Sequence, residues 1–234
     1  MNELSRRSFL TPAAGALAAA TVASRAQAQL VYQRSDWNIK EFQKLTAAPA
    51  RIKQVYDINA VGGGRFLNNI KNSLNGLRFG FAVPPSQMQI VGALHGPANM
   101  LNFDDSIWEK YRIGELFQVD DPEKNQPAIR NPFYRSRVGT GPSRASQDPN
   151  DEGSPLQDTS IQGLQARGVR FLCCHTATEE QARFLIRRRS LTQQPEDVVK
   201  DLLAHVHPGI LVVASMVAAI AMLQIEGRYS YITV

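Results

Sequence analysis

Apolar residues along this chain recur with two periods, and the switching between them marks out strands and helices. Arg51 to Ile58 (RIKQVYDI) alternates in the manner of a strand. Phe66, Leu67, Ile70, Leu74 and Leu77 then fall at three-to-four spacing, which is one face of a helix. Met88 to Leu94 (MQIVGAL) is an unbroken apolar run of the kind a buried strand carries. It stops at the turn His95-Gly96-Pro97. Short helical turns are expected over 98–117, and regular patterning lapses over about 120–157. It resumes with a helix over 159–167, the buried strand Val169 to Cys174 (VRFLCC), and helices over 178–189 and 195–205. A strand at Ile210 to Val213, a helix over 216–226 capped by Ser215, and a strand at Tyr229 to Val234 complete the pattern. A short helix over 36–46, capped by Ser35, precedes the first strand.

Strands alternating with helices at this spacing predict an α/β fold, a three-layer sandwich around a mostly parallel five-stranded sheet. The Pro-, Gly-, Ser- and Asp-rich stretch inside 120–157 reads as an ordered arm followed by a mobile tip at about 140–156. The apolar stretch 210–223 divides into a strand and a capped helix. It is shorter than the ~20 apolar residues a membrane span needs, so no stable span is expected.

The amino terminus has a separate logic. Ser5-Arg6-Arg7-Ser8-Phe9-Leu10 matches the S-R-R-x-F-L pattern of twin-arginine export signals, with Thr11 where Lys is frequent. An Ala-rich run from Pro12 to Val22 follows, then Ala26-Gln27-Ala28 with small residues at the two positions a signal peptidase reads. The expected organisation is a signal peptide at 1–28, handled by the Tat translocase, and one periplasmic domain at 29–234. The signal holds Arg6, Arg7, Arg25 and Glu3, so the chain's 26 basic and 21 acidic residues fall to 23 and 20 in the domain, a net charge of +3. That is too mild to imply a nucleic-acid partner.

In parallel sheets ligands bind at the carboxyl ends of the strands. Three features land there. Gly62, Gly63 and Gly64 follow the first strand and open a helix, where backbone N–H groups can face an anion. His95 follows the second strand. Cys174 and His175 close the third. A vicinal disulfide between Cys173 and Cys174 would strain the peptide joining them, so both are expected as thiols. A thiol at a strand end beside an imidazole is placed to act as a sulfur nucleophile or a soft metal ligand. Alternation sends Cys173 and Cys174 to opposite faces, and Cys174, nearer the strand end, is the expected functional one. His95 and His175 are expected at the same site. The spacing of these residues matches no metal motif, and no cofactor is identified. His205 and His207 flank a helix end and suit capping or surface roles.

Gly168-Val169-Arg170-Phe171-Leu172-Cys173-Cys174, then Pro208-Gly209-Ile210-Leu211-Val212-Val213, then Leu223 to Ile232 (LQIEGRYSYI) resembles the tail of the DsrE/DsrF-like family, over 168–234. Ala214 stands where the family has a second proline. The resemblance implies an α/β sandwich, a homo-oligomer, and a cysteine at the position of Cys174 that carries persulfide sulfur, in some members for a sulfur-relay partner. The resulting expectation is a periplasmic protein that handles a sulfur species through Cys174. The alternatives are a binding module for a small ligand, metal or haem at His95, Cys174 and His175, and a purely structural oligomer.

Overall fold

The computed structural model describes residues 37–135, 151 and 157–234, which all lie in one compact unit. The expected signal at 1–28, the Ser35 cap, and all of the expected mobile tip except Asp151 lie outside the described residues.

Five strands form one sheet: β1 (Ile52–Ile58), β2 (Met88–Leu94), β3 (Arg170–Cys174), β4 (Leu211–Val213) and β5 (Ser230–Thr233). Their order is β4-β3-β2-β1-β5, and every pairing is parallel. The fold is therefore α/β with an all-parallel sheet. Eight helices accompany it among the described residues: α1 (Ile39–Thr46), α2 (Arg65–Asn75), α3 (Asp105–Tyr111), α4 (Ile113–Phe117), α5 (Ile161–Ala166), α6 (His175–Arg189), α7 (Pro195–Ala204) and α8 (Met216–Ile225).

The order of the strands decides where the helices go. From β1 to β4 the chain adds each strand on the same side of the last, then returns through α8 to place β5 against the far side of β1. Right-handed crossovers running in opposite directions put their helices on opposite faces of a sheet. Accordingly α8 packs Met216, Ala219, Ile220 and Leu223 against Val55, Val91, Ala93, Leu172 and Val213, with Leu45 of α1 beside them. The other face meets α2, where the Ser73 hydroxyl donates to Gln54 Oε1 at 2.6 Å. Burying each such aliphatic side chain contributes about 1.5–3 kcal/mol. The Tyr229 hydroxyl donates to Leu45 O at 2.9 Å and ties α1 to the end of α8. At Gly92 of β2 a Cβ would lie 2.5 Å from the Phe171 ring, so the glycine is what lets that ring cross the neighbouring strand.

Helix α8 has a single polar residue, Gln224, among its ten. Val217 and Ile225 are 69% and 78% exposed on its outer surface. No helix of the described residues is long and apolar enough to cross a membrane.

The stretch after Phe117 is an ordered arm at least to Arg135. Asp120–Asp121 and Gln126–Pro127 pair as a small antiparallel hairpin. Asn131 Nδ2 donates to Leu101 O at 2.8 Å, and Phe133 O and Tyr134 O accept from Ile161 N and Gln162 N at the start of α5.

Candidate functional site

Cys174 is the last residue of β3 and the N-cap of α6. Its Sγ accepts the backbone N–H of Ala177, in the first turn of α6, at 3.4 Å. It also accepts the N–H of Met216, the first residue of α8, at 3.3 Å. Strands β3 and β4 are neighbours, but α6 leaves toward the face of Cys173 and α8 toward the face of Cys174. The sulfur therefore sits at the reversal of direction in the sheet, where two helix N-termini meet. Each N-terminus carries roughly half a positive charge on its free N–H groups, the environment that favours an anion. Thr176 holds the two helix starts together, its N–H and hydroxyl both donating to Ala214 O at 3.2 and 2.9 Å.

A buried amide network fixes the same strand end from the other side. Asn99 Oδ1 accepts the Cys174 N–H at 2.8 Å. Asn99 Nδ2 donates to Thr178 Oγ1 at 3.0 Å and Gln181 Oε1 at 2.9 Å. Gln181 Nε2 donates to Gly96 O at 2.6 Å, which anchors the loop that follows His95. Cys173 points into this network, with Thr178 Oγ1 3.9 Å from its Sγ. It is fully buried, and burial pushes its thiol up to about 12. Both cysteines are free thiols. Alternation thus divides the pair as expected, one sulfur in a neutral interior and one between helix ends.

His95 lies one position past Leu94, the register partner of Cys173, so it is level with Cys174 on the adjoining strand. Its Nε2 is 2.5 Å from Asp57 Oδ1. Asp57 also accepts the Tyr231 hydroxyl of β5, and that bond raises the tyrosine above its usual value. Asp57 and Tyr231 share the strand parity of Val55 and so lie on the Cys174 face. The sequence reading omitted both. A carboxylate near the end of a buried strand, in RIKQVYDI, was the available signal for Asp57.

His175 and the Gly62–Gly64 turn have structural partners of their own. His175 does not close the strand but opens α6, because Cys174 already caps the helix. Its Nδ1 is 3.4 Å from Glu179 Oε1, its ring packs edge-on against Trp37 at 5.1 Å, and burial pushes its imidazole below the usual value. The Gly62–Gly64 turn lies at the same sheet edge, with φ of 50°, 64° and 75°. A Cβ on Gly64 would lie 2.5 Å from the Phe133 ring, so packing of the arm explains this glycine, while Gly62 and Gly63 face open space. Among the described residues no group of three His, Cys, Asp or Glu side chains converges to hold a metal ion.

His207 departs from its expected surface role, whereas His205 keeps to a helix end, its Nδ1 2.8 Å from Asp201 O. His207 is buried and stacks on Tyr134 at 3.2 Å and 2°. Burial pushes its imidazole down to about 4, from an ordinary 6.5. Above pH 6.5 the ring is neutral in both folded and unfolded chains. As pH falls toward 4 only the unfolded chain takes up the proton. Stability is expected to drop by on the order of 2–3 kcal/mol across that window. Urea unfolding at pH 7, 5.5 and 4 measures this, and His207→Gln should flatten the drop. An equal slope in that variant would refute the assignment.

A cleft of 410 Å³ opens between α1, the end of β4 and α8, lined by Trp37, Phe42, Val213, Ser215 and Met222 among others. Val213 is the register partner of Cys174, so the cleft adjoins the turn that supports the sulfur. No protein-family model, curated protein or solved structure matches this chain.

Proposed function

We propose that this protein is a DsrE-like sulfur carrier that holds sulfane sulfur as a persulfide on Cys174. The observation that carries the reading is the pair of backbone N–H groups, from two helix N-termini, aimed at Cys174 Sγ. The same donors that suit a thiolate suit the terminal sulfur of a persulfide anion. In loading, the Cys174 thiolate attacks a sulfane sulfur of a polysulfide or persulfide donor. A bond forms between Sγ and that sulfur as the donor's S–S bond breaks. The departing sulfide or thiol takes the electron pair, and the proton released by Cys174 returns to it. No outside oxidant is required, because S–S bonds are exchanged one for one.

His95 is the proton carrier in this scheme. Asp57 orients its ring from the neighbouring strand, as carboxylates orient catalytic imidazoles elsewhere. The apolar cleft beside Val213 and Ser215 accommodates the body of the donor. The twin-arginine pattern at Ser5–Leu10 supports a periplasmic place of work, and the outward Val217 and Ile225 supply apolar surface for the homo-oligomer that the family resemblance implies.

Mass spectrometry of the folded protein after incubation with polysulfide tests the reading. Added sulfur is expected on Cys174, with Cys173 unmodified and with no addition in Cys174→Ser. Modification of Cys173 alone, or of neither thiol, would overturn it.

A further inference from the structure

We propose that a second cleft, at the amino-terminal edge of the sheet opposite Cys174, binds a small organic anion with one charged head and an apolar body. The cleft measures 390 Å³. Leu74 of α2, Met88 and Ile90 of β2, and Val169 just before β3 supply apolar wall, and Arg78 and Arg167 supply its charge.

The two arginines are what single this cleft out. Arg167 Nη2 donates to Asn75 Oδ1 at 2.7 Å, and its Nη1 lies 3.5 Å from Gln157 Oε1. Both acceptors are neutral amides. Among the described residues Arg78 has no ion-pair partner, and its guanidinium lies 5.2 Å from the Phe79 ring. Among the described residues no carboxylate compensates either arginine, although Arg112, Arg130, Arg135, Arg183 and Arg189 all have acidic partners. Burial, and then the neighbouring Arg78, push the Arg167 guanidinium below its usual value. Two like charges brought into one partly buried cleft without a counter-ion repel each other and lose hydration. An anion between them relieves both penalties, and a guanidinium presents paired N–H groups that match a carboxylate or sulfonate. Leu74, Met88, Ile90 and Val169 then favour an apolar body on the ligand over a bare inorganic ion.

The Asn75 and Gln157 contacts have a structural use of their own. They tie α2 and the residues before α5 to Arg167. Arg78 takes no part in that tie, so Arg78→Gln tests the charge without disturbing it.

Isothermal titration calorimetry with hexanoate, hexanesulfonate, hexanamide and inorganic sulfate separates the possibilities. Hexanoate and hexanesulfonate are expected to bind, and inorganic sulfate to bind at least about tenfold more weakly. Hexanamide should give no binding. Arg78→Gln should weaken hexanoate about tenfold or more with unchanged circular dichroism, and Arg167→Gln should weaken it at least as much. Cys174→Ser should bind hexanoate as the unaltered protein does, which keeps this site independent of the sulfur chemistry. Absence of binding by either organic anion, equal binding of hexanamide, an unchanged affinity in Arg78→Gln, or sulfate binding as tightly as hexanesulfonate would each overturn the proposal.

Discussion

At pH 7.5, iodoacetamide is expected to alkylate Cys173 in a Cys174→Ser variant at least a thousandfold more slowly than a free thiol. Cys174 in a Cys173→Ala variant should react far faster than that. The contrast follows from two environments one residue apart. Cys173 is fully buried against Thr178, and burial pushes its thiol from an ordinary 9.0 up to about 12. Three pKa units reduce the thiolate fraction about a thousandfold, and the thiolate is the nucleophile. Loss of access lowers the rate further. Cys174 is 5% exposed, and two backbone N–H donors reach its sulfur, whereas Cys173 is 0% exposed with Thr178 Oγ1 3.9 Å from its sulfur. Labelling time courses read by mass spectrometry measure both rates, with urea-unfolded protein as the reference. Comparable rates for the two thiols in folded protein would remove the physical basis for assigning sulfur carriage to Cys174.

Replacement of Asn99 by Ala is expected to destabilise the fold by about 2–4 kcal/mol. Asn99 is fully buried in the turn between β2 and α3. Its side chain serves Cys174 N, Thr178 Oγ1 and Gln181 Oε1, and Asn102 Nδ2 donates to both its oxygens at 3.1 Å. Alanine removes the carboxamide and strands several buried polar groups together. A lost partner costs the full desolvation of the group left behind, which exceeds the net worth of the bond itself. The shift in urea midpoint at constant m measures the effect. The same variant should slow persulfide formation on Cys174, because the strand end is no longer held in register with Gly96 and His95. A loss below 1 kcal/mol would mean that the network is not what positions the site.

Much of the site was legible from residue order. Cys173 and Cys174 had to diverge because successive side chains of a strand point to opposite faces. The placement of Gly62–Gly64, His95 and Cys174 at one sheet edge followed once the strands were parallel, since every strand then ends on the same side. His175 was misplaced because the boundary between β3 and α6 falls between two adjacent residues. A cysteine is an uncommon cap, and nothing in the spacing announced that its sulfur would accept the Ala177 N–H in the first turn of the helix. His207 was assigned to a helix end because Pro208-Gly209 breaks the chain beside it. Its burial depends on Tyr134, from an arm 73 positions earlier whose course no periodicity records.

By itself, then, the amino-acid sequence determined the periods of the elements, the α/β class, and that the two cysteines lie on opposite faces. These are consequences of local geometry, repeated every two or every 3.6 residues. Only the tertiary structure decided the strand order β4-β3-β2-β1-β5, and with it the reversal that brings the first N–H of α8 to a sulfur 42 residues earlier. Only it set Asp57 against His95 across 38 residues, Tyr231 against Asp57 across 174, and Arg167 against Asn75 across 92. Contacts of that range depend on which elements become neighbours. That choice is made by the summed burial of whole faces, and no single stretch of the chain encodes it.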